Sequence, residues 1–126
     1  MTVVQRVAQV FGIVFLLIGI VGFFYSYTMH DTGMLLGVFP VNLVHNIVHI
    51  LFGLWGLAAA KAFGSARNYA RIAGVIYLVL AVVGWVYPDG FGIVPIGGAD
   101  VWLHLVIGVA LAYFGFTARE EAAVTP

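Results

Sequence analysis

The segment Val41–Gly53 reads VNLVHNIVHILFG and places two histidines, His45 and His49, four residues apart in an otherwise apolar run. Side chains with this spacing lie on one face of an α-helix, so the segment predicts two imidazoles one helical turn apart. A neutral imidazole is a ligand for zinc, copper and haem iron, and it also donates and accepts hydrogen bonds. The chemistry open to the pair depends on the elements around it.

Composition indicates that those elements lie in lipid. Of the 126 residues, 63% are hydrophobic and 8% are charged, whereas soluble domains carry about 25% charged residues. The mean hydropathy of +1.12 agrees. Five basic residues balance five acidic ones and form no basic block, which argues against nucleic acid as a partner. The chain has no cysteine, so it cannot carry out thiol–disulfide chemistry itself.

Four apolar runs are long enough to cross a bilayer as helices, which takes about 20 residues. We predict a single all-α, four-span domain over residues 1–126, with spans at residues 7–25, 43–60, 69–87 and 101–118. The first run follows Arg6 as a signal peptide would, but FFYSYTMH after it offers no small-x-small cleavage site, so we interpret it as a retained span. The C-terminal EEAAVTP is predicted to be a solvated, frayed tail.

The basic residues predict an orientation for these spans. All five lie on one side of a four-span arrangement, at Arg6, Lys61, Arg67, Arg71 and Arg119. The first and third connections contain no Lys or Arg. By the positive-inside rule, both termini and the second connection are cytoplasmic.

The chain also shows an internal repeat. GVFPVNLVHNIVHILFGL from Gly37 aligns without a gap with GIVPIGGADVWLHLVIGV from Gly92, at an offset of 55 positions. The first and third helices align at an offset of 62, where Ala8, Gly12, Gly22 and Tyr25 meet Ala70, Gly74, Gly84 and Tyr87. This pattern predicts two tandem two-helix units, related by a parallel pseudo-twofold axis along the membrane normal.

The repeat predicts a polar cluster near the outer end of the bundle. His49 aligns with His104, and His45 aligns with Asp100, so the four side chains should converge. Asn42 and Asp100 are predicted to cap the second and fourth helices, because asparagine and aspartate are favoured at the N-cap position. The predicted cluster comprises Asn42, His45, Asn46, His49, Asp100 and His104.

Three interpretations of this cluster are open. The favoured one is structural: its side chains hydrogen-bond neighbouring helices and satisfy backbone groups of the outer connections. In the second, His45, His49, His104 and Asp100 bind a metal ion, or the histidines bind haem, although the glutamate of an HExxH motif is missing. In the third, the histidines line a pocket for a lipid or quinone-like head group. His30 lies outside the cluster and is predicted to be solvated.

Two functional classes are disfavoured. The spans carry no acidic or basic residue near the bilayer midplane, which argues against a proton-coupled exporter. No nucleophile–base spacing and no paired carboxylates are present, so no catalytic residue is assigned. Small-xxx-small pairs such as Gly108/Ala112 predict close helix packing, or a homo-oligomer.

Two stretches of the chain resemble a known family. They are VNLVHNIVHILFGLWGLAAA, after the first connection, and GGADVWLHLVIGVALA, at the start of the fourth helix. With them the chain resembles the small bacterial four-helix membrane proteins grouped as domain of unknown function 4383, over nearly its whole length. The resemblance implies a fold and a membrane location, and no activity, substrate or cofactor. A looser similarity to four-helix membrane proteins associated with oxidoreductase complexes concerns the fold alone.

We therefore predict a multi-pass protein of the bacterial inner membrane with a non-catalytic structural or accessory role. Its partners would be membrane lipid and either further copies of itself or a larger membrane complex. The alternative is a metal-, haem- or lipid/quinone-binding membrane protein that uses the outer histidine cluster.

Overall fold

The computed structural model describes residues 1–120, and most of the predicted C-terminal tail lies outside them. Four α-helices occur in this part of the chain: α1 Val3–Gly22, α2 Leu43–Ala59, α3 Phe63–Val86 and α4 Ala99–Phe116. A hairpin of β1 Gly33–Leu35 and β2 Phe39–Val41 precedes α2, and a short 3-10 turn, Gly90–Gly92, precedes α4. By length and hydropathy, α1, α3 and α4 could each cross a membrane, whereas α2 is apolar but has 17 residues.

Polar first turns extend two helices beyond the predicted spans. Thr2 forms a capping box with Gln5, whose backbone N–H donates to the Thr2 hydroxyl at 3.3 Å while the Thr2 backbone N–H donates to the Gln5 side chain at 2.9 Å. This cap starts α1 at Val3. Helix α3 likewise begins at Phe63 and includes the polar stretch SARN. The predicted spans begin where the apolar runs begin, at residues 7 and 69, and leave these turns out.

The helices pack as two antiparallel pairs, α1 with α2 and α3 with α4. Glycine allows the backbones to approach closely in both pairs. A Cβ atom built on Gly12 would lie 2.8 Å from the backbone nitrogen of Leu57, and one on Gly74 would lie 2.5 Å from that of Ala112. Any side chain at these glycines would push the paired helices apart.

Small and aromatic residues fill the interior, while large aliphatic residues face outward. Fully buried alanines on α1 and α3 include Ala8, Ala66, Ala70 and Ala73. More than half of the surface of Leu17, Leu51, Val82 and Val106 is exposed. An aliphatic exterior around an interior of small residues is compatible with a membrane protein.

The two helix pairs meet through Phe15 and Tyr77, which are both buried. Their rings stack with centroids 5.1 Å apart and planes 6° from parallel. This contact lies between α1 of one pair and α3 of the other. Fewer residues touch between the pairs than within them, so the few contacts between pairs decide how the pairs are held together.

One end of the bundle carries the basic residues. Gln5 on α1 donates from Nε2 to the carbonyl of Ala60 at the end of α2, at 3.1 Å. Arg71 on α3 donates from Nε to the carbonyl of Gly115 near the end of α4, at 2.8 Å. Because α1 and α3 begin here and α2 and α4 end here, the five Lys and Arg residues lie at or near this end.

The β-hairpin in the first connection is not predicted by the sequence analysis. Its strands pair antiparallel, with Met34 opposite Pro40. The turn contains Leu36 at φ 54° and Gly37 at φ 72°, a left-handed conformation that favours glycine at the second of these positions. Strands of three residues are too short to show a recognisable alternation of polar and apolar residues, so the bundle, but not the hairpin, follows from hydropathy.

Candidate functional site

The side chain of Asn42 caps α2 and links the first connection to the third. Its Oδ1 accepts a hydrogen bond from the backbone N–H of His45 at 2.9 Å, which is the predicted N-cap role. Its Nδ2 donates to the carbonyl of Ile93 at 2.9 Å and to that of Met29 at 3.3 Å. One buried amide therefore fixes the start of α2 and joins the connection before α2 to the one before α4.

Asp100 is not the N-cap of α4, so that prediction was wrong. The N-cap is Gly98, at φ 62°, and it makes no side-chain capping bond. The left-handed glycine starts the helix at Ala99, which places Asp100 in the first turn with its side chain buried. Its Oδ2 lies 3.5 Å from Nε2 of His45, an ion-pair distance if His45 is protonated, but without hydrogen-bond geometry.

The three helical histidines converge between α2 and α4. His45, His49 and His104 are each at most 5% exposed. One ring nitrogen from each lies within 4.8 Å of the corresponding atoms of the other two. The rings of His45 and His49 stack at a centroid distance of 4.4 Å, and those of His45 and His104 lie 6.4 Å apart. Asp100 is not part of this three-nitrogen set.

Two aromatic rings border the histidines on the inner side. Phe15 meets His49 edge-on at 5.5 Å, and Tyr77 meets His104 edge-on at 5.2 Å. The sequence analysis assigns these aromatic residues no place at the site. A signal for them exists, because Phe15 and Tyr77 align with each other at the same offset of 62 that relates α1 to α3.

The remaining polar residues have separate roles. Asn46 is fully buried and donates from Nδ2 to the carbonyl of Ser26 at 2.7 Å, which holds the chain leaving α1 against α2. The Ser26 hydroxyl in turn donates to the carbonyl of Asp31. His30 is exposed in the first connection, away from the other three histidines.

The sequence model of the family described as Domain of unknown function (DUF4383) matches residues 5–117. The chain belongs to this family. The match runs from the first turns of α1 past the end of α4, so it includes all six residues of the polar cluster. A search of the curated proteins and a search of the solved structures gave no match. Membership confirms the resemblance and brings no activity with it.

Several buried polar atoms of this DUF4383 chain lack hydrogen-bond partners within residues 1–120. Around the histidines they are both ring nitrogens of His45, Nδ1 of His49, Nδ1 of His104 and both carboxylate oxygens of Asp100. Buried polar groups are nearly always paired in folded proteins, and an unpaired one costs about 1–3 kcal/mol. The arrangement can therefore accept a cation.

Proposed function

We propose that this DUF4383 protein crosses the bacterial inner membrane four times and serves there as a non-catalytic structural or accessory component. The distribution of residue sizes carries the proposal. Large aliphatic side chains such as Leu51, Val82 and Val106 cover the outside, and small, aromatic or polar residues fill most of the inside. In water such an exterior would drive aggregation, whereas lipid solvates it.

Helix α2 is the shortest of the four, and its contacts support a full crossing. Seventeen residues span about 26 Å, near the lower limit for a hydrocarbon core of about 30 Å. The hydrogen bond from Gln5 to Ala60 places the end of α2 beside the start of α1. The bond from Asn46 to Ser26 places the start of α2 beside the end of α1. If α1 crosses the bilayer, α2 returns across it.

The tandem repeat has support in contacts that recur at the two sequence offsets. A Cβ atom on Gly53 would lie 2.6 Å from the backbone nitrogen of Leu16, and one on Gly108 would lie 2.8 Å from that of Leu78. Gly108 follows Gly53 by 55 positions, and Leu78 follows Leu16 by 62. The same contact therefore occurs once in each helix pair, as a parallel pseudo-twofold requires.

The non-catalytic role rests on the closure of the polar cluster. Each of its six residues is 5% exposed or less. A substrate, a lipid head group or a quinone ring would have to displace the side chains that bury the histidines, which include the rings of Phe15 and Tyr77. The cluster thus joins elements of the protein to one another.

Single-cysteine labelling tests the topology, because the chain has no cysteine of its own. Thr32→Cys and Asp89→Cys place a thiol in exposed parts of the first and third connections, and Gly64→Cys places one at the start of α3. We expect a membrane-impermeant maleimide to label the first two from the periplasmic side of spheroplasts, and the third only after lysis. The unsubstituted protein is the control for background labelling.

Two labelling patterns would contradict the proposal. Labelling of Thr32→Cys and Gly64→Cys from the same side would mean that α2 does not cross. Labelling of Gly64→Cys alone in spheroplasts would mean that the orientation is inverted. Release of the protein from membranes by alkaline carbonate would argue against any spanning arrangement.

A further inference from the structure

We propose that His45, His49 and His104 bind one zinc ion, with Asp100 as the carboxylate that positions His45. The ion would join α2 of one helix pair to α4 of the other. This inference goes beyond the proposed structural role, and it does not depend on which side of the membrane the cluster faces.

The histidine geometry fits a divalent transition-metal ion. Zinc binds imidazole nitrogen at about 2.0–2.1 Å, so the nitrogens of a tetrahedral site lie about 3.4 Å apart. The nitrogens of the three histidines already lie within 4.8 Å of one another, and the stacked rings of His45 and His49 would have to turn about their side-chain bonds so that one nitrogen of each points at the ion. His45 and His49 have the i, i+4 spacing with which helices present two zinc ligands on one face. His104 adds the third ligand from α4.

A positive partner would stabilise the buried carboxylate of Asp100. Asp100 is 1% exposed, and neither of its oxygens has a hydrogen-bond partner in the described part of the chain. The Lys and Arg side chains lie at or near the opposite end of the bundle, and a lone buried charge is strongly disfavoured in a low dielectric. A zinc ion between the imidazoles supplies the missing charge and uses their unpaired nitrogens.

Asp100 is placed to act on the metal through His45. Its Oδ2 faces Nε2 of His45 at 3.5 Å, and it does not belong to the three-nitrogen set. Metal-binding histidines commonly donate their second ring N–H to a carboxylate, which fixes the tautomer and the ring orientation. A turn of the His45 ring that directs Nε2–H at Asp100 would leave Nδ1, which is buried and unpaired, as the metal ligand.

The donor set selects zinc over the other ligands considered for this cluster. Three imidazoles and a nearby carboxylate suit zinc in a tetrahedral arrangement, whereas Cu(I) prefers thiolate and thioether sulfur and Cu(II) prefers a square-planar or tetragonal arrangement of ligands. Haem would need a macrocycle between two axial nitrogens. The third imidazole, within 4.8 Å of the other two, occupies that space. A lipid or quinone head group is too bulky for this position, because all three rings are buried.

Metal analysis of the purified protein tests the proposal. The protein is purified with an affinity tag that contains no histidine, and its metal content is measured by inductively coupled plasma mass spectrometry. We expect one zinc ion per chain in the unsubstituted protein, and background zinc in His49→Ala and His104→Ala. His30→Ala is the matched control, because this exposed histidine lies outside the cluster, and it should keep the full zinc content.

Two further measurements keep the test independent of folding defects in the variants. Unsubstituted protein loaded with Co²⁺ in place of zinc should show the visible absorption of a tetrahedral Co²⁺ site. Asp100→Asn should still bind zinc, with an affinity lower by about 10–100-fold in competition with a chelator, because it loses the positioning carboxylate.

Three results would overturn the proposal. One is unsubstituted protein that contains no zinc and takes none up from a zinc buffer. Another is full zinc content in both His49→Ala and His104→Ala. The third is copper in place of zinc at the same residues, which would refute the choice of metal. None of these results would alter the labelling pattern that tests the four-span topology, so the two proposals fail separately.

Discussion

Replacing Gly12 by alanine adds one methyl group to the contact between α1 and α2. The new Cβ atom would lie 2.8 Å from the backbone nitrogen of Leu57 and 2.9 Å from the carbonyl oxygen of Gly53. Atoms in good contact lie about 3.5 Å apart, so the two helices must separate by about 0.7 Å. Since both neighbouring atoms belong to the backbone, no side-chain rotation can relieve the clash.

The cost follows from comparing this variant with a glycine in open space. Overpacking a close-packed interior costs about 1–3 kcal/mol, while alanine gains up to about 1 kcal/mol of helix propensity over glycine. Gly64 is also helical, and a Cβ atom there meets nothing within 4 Å. Gly64→Ala therefore carries the propensity gain without the clash. We expect Gly12→Ala to be less stable than Gly64→Ala by about 1–3 kcal/mol.

Reversible unfolding of both variants in mixed micelles of detergent and dodecyl sulfate, followed by circular dichroism, measures this difference. Gly74→Ala provides a second case, because its Cβ atom would lie 2.5 Å from the backbone nitrogen of Ala112 in the other helix pair. It should lose a similar amount. Equal stabilities of Gly12→Ala and Gly64→Ala would refute the close approach of α1 and α2 through glycine.

Two further variants test contacts made by single polar side chains. Asn42→Ala should lower the free energy of unfolding by about 1–2 kcal/mol through loss of the α2 cap, and Asn42→Ser should restore the cap without the links to Ile93 and Met29. Amide hydrogen exchange in the first and third connections should then be faster in the serine variant than in the unsubstituted protein, and an unchanged rate would contradict the bridging role. Tyr69→Phe should lose about 0.6 kcal/mol, because the hydroxyl donates to the carbonyl of Phe52 at 3.0 Å. Trp55 fluorescence reports the ring packed edge-on against Tyr69 once Trp85 and Trp102 are replaced by phenylalanine. It should stay unchanged, and a shift would mean that the ring has moved.

The helices and the meeting of the histidines could be predicted because each leaves a periodic or repeated signal. Hydropathy marks long apolar runs, and a fixed offset aligns His49 with His104. Once two antiparallel pairs are assumed, equivalent positions near the starts of α2 and α4 fall at the same height. The buried ring nitrogens within 4.8 Å of one another agree with this reasoning.

Features that depend on backbone conformation could not be predicted in the same way. The left-handed Gly98 moves the start of α4, so Asp100 faces inward and does not cap the helix. The link from Asn42 to Ile93 joins residues 51 positions apart, and neither residue type signals such a partner. The stacking of Phe15 on Tyr77 leaves only the repeat offset as a trace, since aromatic residues occur throughout the chain.

The two kinds of helix contact in this bundle should respond differently to perturbation. Within each pair, glycines such as Gly12 and Gly74 bring the backbones together along many short contacts, so the loss of one contact leaves the others in place. Between the pairs, the described contacts are fewer and include the stack of Phe15 on Tyr77, the hydrogen bond from Tyr69 to Phe52 and the polar cluster. Weakening the cluster should therefore let the two helix pairs move relative to each other while each pair stays intact. Helical content would be preserved, and the relation between the pairs would be lost first.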